Sequence, residues 1–275
     1  MAKKKSAIDD FTASDLARNI IGERLKLKPK NEAQKRFLNL IDEKEIIICS
    51  GPSGCGKSHI SLAKALDLFQ NKENKYQKIL IYKPAIEAEE NHGFIPGTIE
   101  EKILPYVESS LNLVDKVIGK QSRERLMSDG ILEIKALAFI RGANIDNAIL
   151  IMEEAQNMSP NQVKTLLTRI GENSKFIISG DMDQSDRYGR VEKTGLYDVI
   201  HRLKGKVDDI GFFSFSNDDI VRNPIISKIL KFYQDKSEAY SGKEKNNNPD
   251  KTITDIQKKE DKNKKRNFFK KIFKW

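Results

Sequence analysis

Cysteine is scarce: the 275 residues contain two, Cys49 and Cys55, and neither has a CxxC or Cys/His neighbour. That excludes a disulfide framework and a zinc site, and makes the cytoplasm the expected compartment. The three histidines, His59, His92 and His201, share no metal-ligand spacing, and no Ser/His/Asp or Cys/His arrangement accompanies them. No stretch reaches the roughly 18 consecutive apolar residues of a membrane span. The opening MAKKKSAIDD has no apolar segment behind its charges, so neither a spanning protein nor a secreted precursor is expected. What is present is 38% hydrophobic and 32% charged, with a mean hydropathy of -0.57. Such a chain should form one large domain with a polar appendage.

The net charge of +9 suggests nucleic acid until it is divided along the chain. From Ser237 to Trp275, eleven Lys and one Arg face six acidic residues, a net +6 that leaves +3 for the first 236 residues. Strong basic attraction therefore belongs mostly to the tail.

Residues 1 to about 30 read as a Lys-rich arm, with Phe11, Leu16, Ile20 and Ile21 as anchors of a short helix. After Pro29 the spacing of Phe37, Leu38 and Ile41 predicts a helix capped by Asn31. Short apolar runs then alternate with helical patterns. The runs are Ile46-Ile47-Ile48, Ile79 to Tyr82, Ile149 to Met152, Phe176-Ile177-Ile178 and Ile210 to Phe215. Runs without polar alternation suit a sheet covered on both faces. The helices between them are expected at about 57–70, 98–118, 121–129, 160–170 and 194–203, with Ile131 to Lys135 as an additional edge strand. The predicted fold is a doubly wound α/β domain with a mostly parallel sheet, spanning 31–236 and closed by a helix from Pro224 with Asn223 as its cap. Residues 237–275 are too polar to bury a core and are expected to be disordered. Their end, Asn267 to Trp275, interleaves aromatics with lysines. It reads as a solvated end, a nucleic-acid or membrane-surface contact, or a partner-docking peptide.

Gly51-Pro52-Ser53-Gly54-Cys55-Gly56-Lys57-Ser58 matches GxxxxGK(S/T) where a strand hands over to a helix. Its backbone N–H groups should turn inward around phosphates, Lys57 should reach the β- and γ-phosphates, and Ser58 should ligate Mg²⁺. His59, next along the helix, is counted with the nucleotide contacts. Cys55 reads as a small loop residue, with a redox-sensing thiol as the alternative. Downstream, Ile149 to Met152 ends in Glu153 and Glu154, at the strand end where open sheets bind ligands. Glu153 is assigned to the metal shell and Glu154 to the general base, against a surface pair at a helix start. Phe176 to Ser179 ends in Gly180-Asp181-Met182-Asp183-Gln184, which puts Gln184 beside the γ-phosphate. Gln34 is placed for the adenine edge, and no Asn-Lys-x-Asp guanine reader occurs, so ATP is favoured over GTP. Of Arg141, Arg169, Arg187, Arg190 and Arg222, Arg222 is the first candidate for stabilising transition-state charge and Arg141 the second.

These residues resemble the PhoH-like P-loop ATPases, a family of phosphate-starvation-inducible proteins found in bacteria and many phages. The resemblance runs from about Asn31 to Tyr233. Besides the glycine loop it rests on Lys83 to Glu90, Gly93 to Gly97, Glu101-Lys102 with Pro105-Tyr106, and Leu137 to Gly142. Glu154 to Asn157, Leu167 to Arg169, Gly180-Asp181 with Gln184, and Val221 to Pro224 continue it in order. It implies a RecA-like core similar to the first motor domain of superfamily 1 helicases, ATP hydrolysis with Mg²⁺, and a homo-oligomeric ring, often a hexamer. In such a ring the site lies between subunits and an arginine from the neighbour completes it. The family's association with RNA comes through members with an amino-terminal nuclease domain. The roughly 45 residues before the first strand are too few for that domain, so nuclease activity is not expected. The chain looks like the short, phage-borne members.

Three departures stand out. The family commonly has Asp at position 153, one methylene shorter than Glu153. It has Arg where Lys83 stands, and Lys keeps the charge but loses the planar fork. The Lys-rich tail lies outside the resemblance. The expectation is an Mg²⁺-dependent ATPase acting on or alongside RNA or single-stranded nucleic acid. Its rivals are a nucleotide-gated binding scaffold and a small-molecule kinase, though no acceptor pocket or Arg-rich lid for a kinase is evident.

Overall fold

The computed structural model describes Ile21, Leu25, residues 27–84 apart from 72 and 74, residues 99–182 apart from 141 and 143, Gln184, and residues 191–221. The expected helix from Pro224, the tail with its aromatic end, and the arm anchors Phe11, Leu16 and Ile20 lie outside the described residues.

Helix α1 (Glu32–Glu43) starts where expected, because the Asn31 side chain accepts from Gln34 N at 2.8 Å. Such a cap satisfies one of the four N–H groups that a helix start leaves orphaned. Strand β1 (Ile46–Ser50) runs into α2 (Lys57–Gln70), and β2 (Lys78–Lys83) precedes α3 (Ile99–Ile118) and α4 (Lys120–Ser128). Then come β3 (Leu132–Ala136), β4 (Ala148–Met152), α5 (Pro160–Leu167), β5 (Lys175–Gly180), α6 (Gly195–Leu203) and β6 (Ile210–Ser214).

The six strands form one sheet in the order β3-β2-β4-β5-β1-β6, and every pair is parallel. The run from Ile131 is thus a true edge strand. Alternate residues face opposite layers. Ile47, Cys49, Ile79, Ile81, Ile149, Ile151 and Ile177 join a core with Phe37, Leu62, Leu66, Val114 and Leu126 from α1 to α4. Ile48, Leu80, Leu150, Met152, Phe176 and Ile178 join another with Val163, Leu166, Leu196 and Val199 from α5 and α6. At about 1.5–3 kcal/mol for each fully buried large apolar side chain, these two layers are the main source of stability. They also explain why the strands read as unbroken apolar runs.

Helix α5 is shorter than its expected span, 160–170. It begins with a capping box in which Ser159 and Gln162 bond reciprocally and Pro160 follows the cap, but it stops at Leu167. Beyond it Ile170 makes a parallel bridge to Ile145. Gly171 lies so close to Asp146 that a Cβ there would sit 1.8 Å from the carboxylate. Tertiary pairing ended this helix where periodicity alone would have continued it.

The connection after β1 carries α2 over one face of the sheet, while that after β5 carries α6 over the other. The neighbouring strands β5 and β1 stay paired through Ser50 and Gly180, and the connections that leave their carboxyl ends part to opposite faces of the sheet. A crevice opens at such a switch point, where open parallel sheets bind ligands.

Candidate active site

The loop from Gly51 to Gly56 emerges from β1 at this crevice. Gly54 and Gly56 have φ of 94° and 96°, a left-handed backbone that a side chain would strain. Gly56 caps α2 with no side-chain bond, so Lys57 and Ser58 occupy its first turn, where N–H groups and the helix dipole favour an anion. The Lys57 ammonium lies against the loop, donating to the carbonyls of Gly51 and of Pro52, the latter at 2.9 Å. Ser53 N donates to the Asp181 carboxylate at 3.0 Å. The contact shows that a loop N–H can donate to an anionic oxygen at the crevice.

Gln34 is 4% exposed and holds the loop from behind. Its Nε2 donates to Cys55 O at 2.9 Å, and its Oε1 accepts from Lys30 N at 2.8 Å. Pairing with adenine would have to use the remaining amide hydrogen and lone pair. The His59 side chain is exposed; partial desolvation, then the Lys30 charge, lowers its pKa. The Cys55 thiol is buried, and burial raises its pKa, as it does more strongly for Cys49. A thiol held protonated is a poor nucleophile, which weighs against the redox-sensing alternative.

Strand β4 delivers the acidic pair two strands from the loop. Glu153 N continues the ladder by donating to Tyr82 O at 3.0 Å, and its side chain is buried. Glu153 Oε2 accepts from Ser110 Oγ at 2.8 Å and lies 3.2 Å from Lys83 Nζ, which also reaches the Ser109 hydroxyl. A carboxylate at this depth would cost several kcal/mol without such partners. Glu153 and Lys83, the two positions read from the sequence as departures from the family pattern, meet in one ion pair. The extra methylene of the acid and the flexible stem of the lysine belong to the same contact.

Glu154 is different. Its φ of 55° and ψ of 38° are left-handed, and its side chain is exposed toward solvent. Gln156 Nε2 donates to Glu154 Oε2 at 2.6 Å. Gln184 is exposed, with its backbone N 3.3 Å from Asp181 O. Arg141 and Arg222, like Arg187 and Arg190, lie outside the described residues. Val221, the residue before Arg222, donates its N–H to Gly54 O at 3.1 Å. Arg169 donates to Gly142 O at 2.6 Å. The fold thus brings the loop, Asp181 and the Glu154–Gln156 pair to the carboxyl ends of β1, β5 and β4.

The residues expected from the sequence to face Mg²⁺ are Ser58, in the first turn of α2, and Glu153, whose carboxylate is held by Ser110 and Lys83. Among the described residues no group of three or more His, Cys, Asp or Glu could hold a metal unaided. Sequence reasoning quoted Gln156 and Asp181 within family-like segments without giving either a role, and it did not anticipate Ser110 or the pairing of Lys83 with Glu153.

A glycine loop between the first strand and helix of a parallel sheet, with acids ending a strand two places away, defines a P-loop NTPase fold of the RecA-like class. The family model described as PhoH-like protein matches residues 26–234, and the chain belongs to that family. It is 36% identical over 235 residues to the PhoH-like protein of Bacillus subtilis (strain 168), covering 85% of this chain and 72% of that protein. The PhoH-like protein of Mycobacterium tuberculosis (strain ATCC 25618 / H37Rv) is 35% identical over 235 residues, which cover 85% of this chain and 66% of that protein. Protein PhoH of Escherichia coli (strain K12) is 34% identical over 206 residues, 74% of this chain and 57% of that protein. The match to the last two therefore spans less than two thirds of their own length. No helix among the described residues is long and apolar enough to cross a membrane.

Proposed function

We propose that the chain is an Mg²⁺-dependent ATPase that works as a homo-oligomeric ring, with a hexamer favoured, on or alongside RNA or single-stranded nucleic acid. The observation that supports the hydrolytic part is the hydrogen-bonded path from the exposed Glu154 carboxylate through Gln156 and Asp181 to Ser53 N in the glycine loop that carries Lys57 and Ser58. Lys57 and the loop hold the phosphates, and Ser58 and Glu153 are the residues that would hold a metal shell. Glu154 takes a proton from the water that attacks the γ-phosphorus in line, as the bond to the ADP oxygen breaks. Gln184 lies beside the γ-phosphate. Arg222 or Arg141, from the same or a neighbouring subunit, offsets the charge of the transition state. Bound Mg²⁺ would supply charge neutralisation for the phosphoryl group as it is transferred. The lack of a guanine-reading motif favours ATP.

Phosphate release from ATP with Mg²⁺, measured with and without single-stranded RNA, tests this reading. Lys57→Ala should abolish turnover. Glu154→Gln should leave nucleotide binding intact and slow hydrolysis at least ~100-fold, as loss of a general base does. Stimulation by RNA would support the nucleic-acid role.

One observation favours a second reading. The Lys83 ammonium already neutralises Glu153, which leaves less charge for a metal. ATP binding without phosphate release would make the chain a nucleotide-gated scaffold.

A further inference from the structure

Gln156 is 1% exposed and sits on a single 3₁₀ turn, Ala155–Asn157, directly after the acidic pair. Its carboxamide meets two partners of opposite character. Nε2 donates to Glu154 Oε2 at 2.6 Å, and Oε1 accepts from Asp181 N at 3.0 Å. A carboxylate can only accept and a backbone N–H can only donate, so these partners define the amide orientation, because the flipped form would lose both bonds. The chain of contacts continues from Asp181 Oδ2 to Ser53 N in the glycine loop at 3.0 Å. The ends of β4, β5 and β1 are thereby linked through one side-chain amide and one carboxylate.

A second observation is steric. Gly180 ends β5 against this carboxamide, and a Cβ there would lie 2.6 Å from Gln156 Oε1 and 2.9 Å from Gln156 N. Residue 180 has no side chain where Gln156 needs the space. Glu154 needs such a hold: it is exposed, with left-handed backbone, and a free glutamate side chain there would sample several rotamers.

We propose that Gln156 is the positioning residue for Glu154, holding the carboxylate in register with the phosphate loop through Asp181. The inference rests on the ATPase reading above and adds a residue to it. Because Asp181 holds both Ser53 and Gln156, an anion that competes for Ser53 N acts on the residue that steadies Gln156. Loop occupancy and base orientation are coupled over a path of three hydrogen bonds.

The test is steady-state ATP hydrolysis by the full chain, wild type against Gln156→Met, Glu154→Gln and the double variant. Methionine keeps the volume and removes both polar ends. Loss of orientation should lower kcat ~10- to 100-fold, less than or at the lower limit of the ~100- to 10,000-fold for losing a general base outright, with KM for ATP within about threefold of wild type because uniform binding is untouched. In the Glu154→Gln background, Gln156→Met should produce no further loss, since residues acting as a unit are non-additive. A purely structural role would instead give additive losses and a raised KM. Should Gln156→Met fail to fold, Gln156→Glu keeps an acceptor for Asp181 N and loses the donor to Glu154, and the same kcat-selective loss is expected. Wild-type kcat in a folded position-156 variant, alongside a slow Glu154→Gln, overturns this inference alone. A Glu154→Gln protein as fast as wild type overturns the base assignment, and with it any role for Gln156 in positioning a base.

Discussion

At the scale of single residues, the crevice separates groups by environment. Cys55 sits in the phosphate loop yet is fully buried, and burial raises its thiol pKa with only partial compensation from Lys57. Thiolate is the reactive form, so neither cysteine should serve as a sensor. Native protein at pH 7 should react with a chromogenic disulfide reagent at least ~100-fold more slowly than unfolded protein, both thiols being absent from its surface. Rapid labelling of one thiol with loss of ATP binding would restore the sensing role. The two acids at the end of β4 differ in the same manner. Glu153 is buried and held by Ser110 and Lys83, whereas Glu154 is exposed and held by Gln156. Glu153→Asp should shorten the reach to Lys83 and Ser110. Its expected effect is altered Mg²⁺ dependence of turnover, read as a changed metal concentration at half-maximal rate.

At the scale of elements, α1 and β5 are joined by an unusual group. Lys175, 6% exposed at the start of β5, donates to the carbonyls of Ile41 and Lys44 and so satisfies the end of α1. Burial lowers its pKa to about 8, against opposing contributions from Asp42 and Glu45. The unfolded chain holds this proton to a higher pH than the folded one, so stability rises as pH climbs from about 8 toward the ordinary lysine value, and the penalty is fully present below 8. Urea unfolding at pH 7 and pH 10, compared with Lys175→Met, should show a gain of about 2 kcal/mol that the variant lacks. Equal slopes in both proteins would remove Lys175 from the account. The same helix carries Gln34 to the phosphate loop at its other end, so α1 runs from the carboxyl ends of the strands to the amino end of β5.

At the scale of the whole molecule, the charge division becomes testable. Twelve basic residues against six acidic ones beyond Lys236 place most of the net positive charge outside the P-loop domain. Deleting residues 237–275 should weaken binding to single-stranded RNA and flatten its dependence on salt, because fewer counterions are released. Lys57-dependent phosphate release should persist. Equal binding by the truncated and full chains at every salt concentration would assign the tail to a partner or to no contact. Sedimentation of the full chain with and without ATP tests ring assembly.

Much of the fold was legible because its physics is local. Isoleucine runs such as Ile149 to Ile151 announce strands covered on both faces, Asn31 and Ser159 announce helix starts, and the octapeptide from Gly51 to Ser58 names its own ligand class. The sequence by itself determined the alternation of elements, the phosphate loop and the acidic pair, since caps, periodicity and left-handed glycines act within a few residues. Only the tertiary structure decided strand order, the early end of α5, the pairing of Lys83 with Glu153, and the links from Ser53 through Asp181 and Gln156 to Glu154. Those contacts join residues 25 to 128 positions apart, apart from the local Gln156–Glu154 bond. Nothing in a neighbouring stretch of chain encodes such a distance; it exists once β1, β5, β4 and β2 lie side by side.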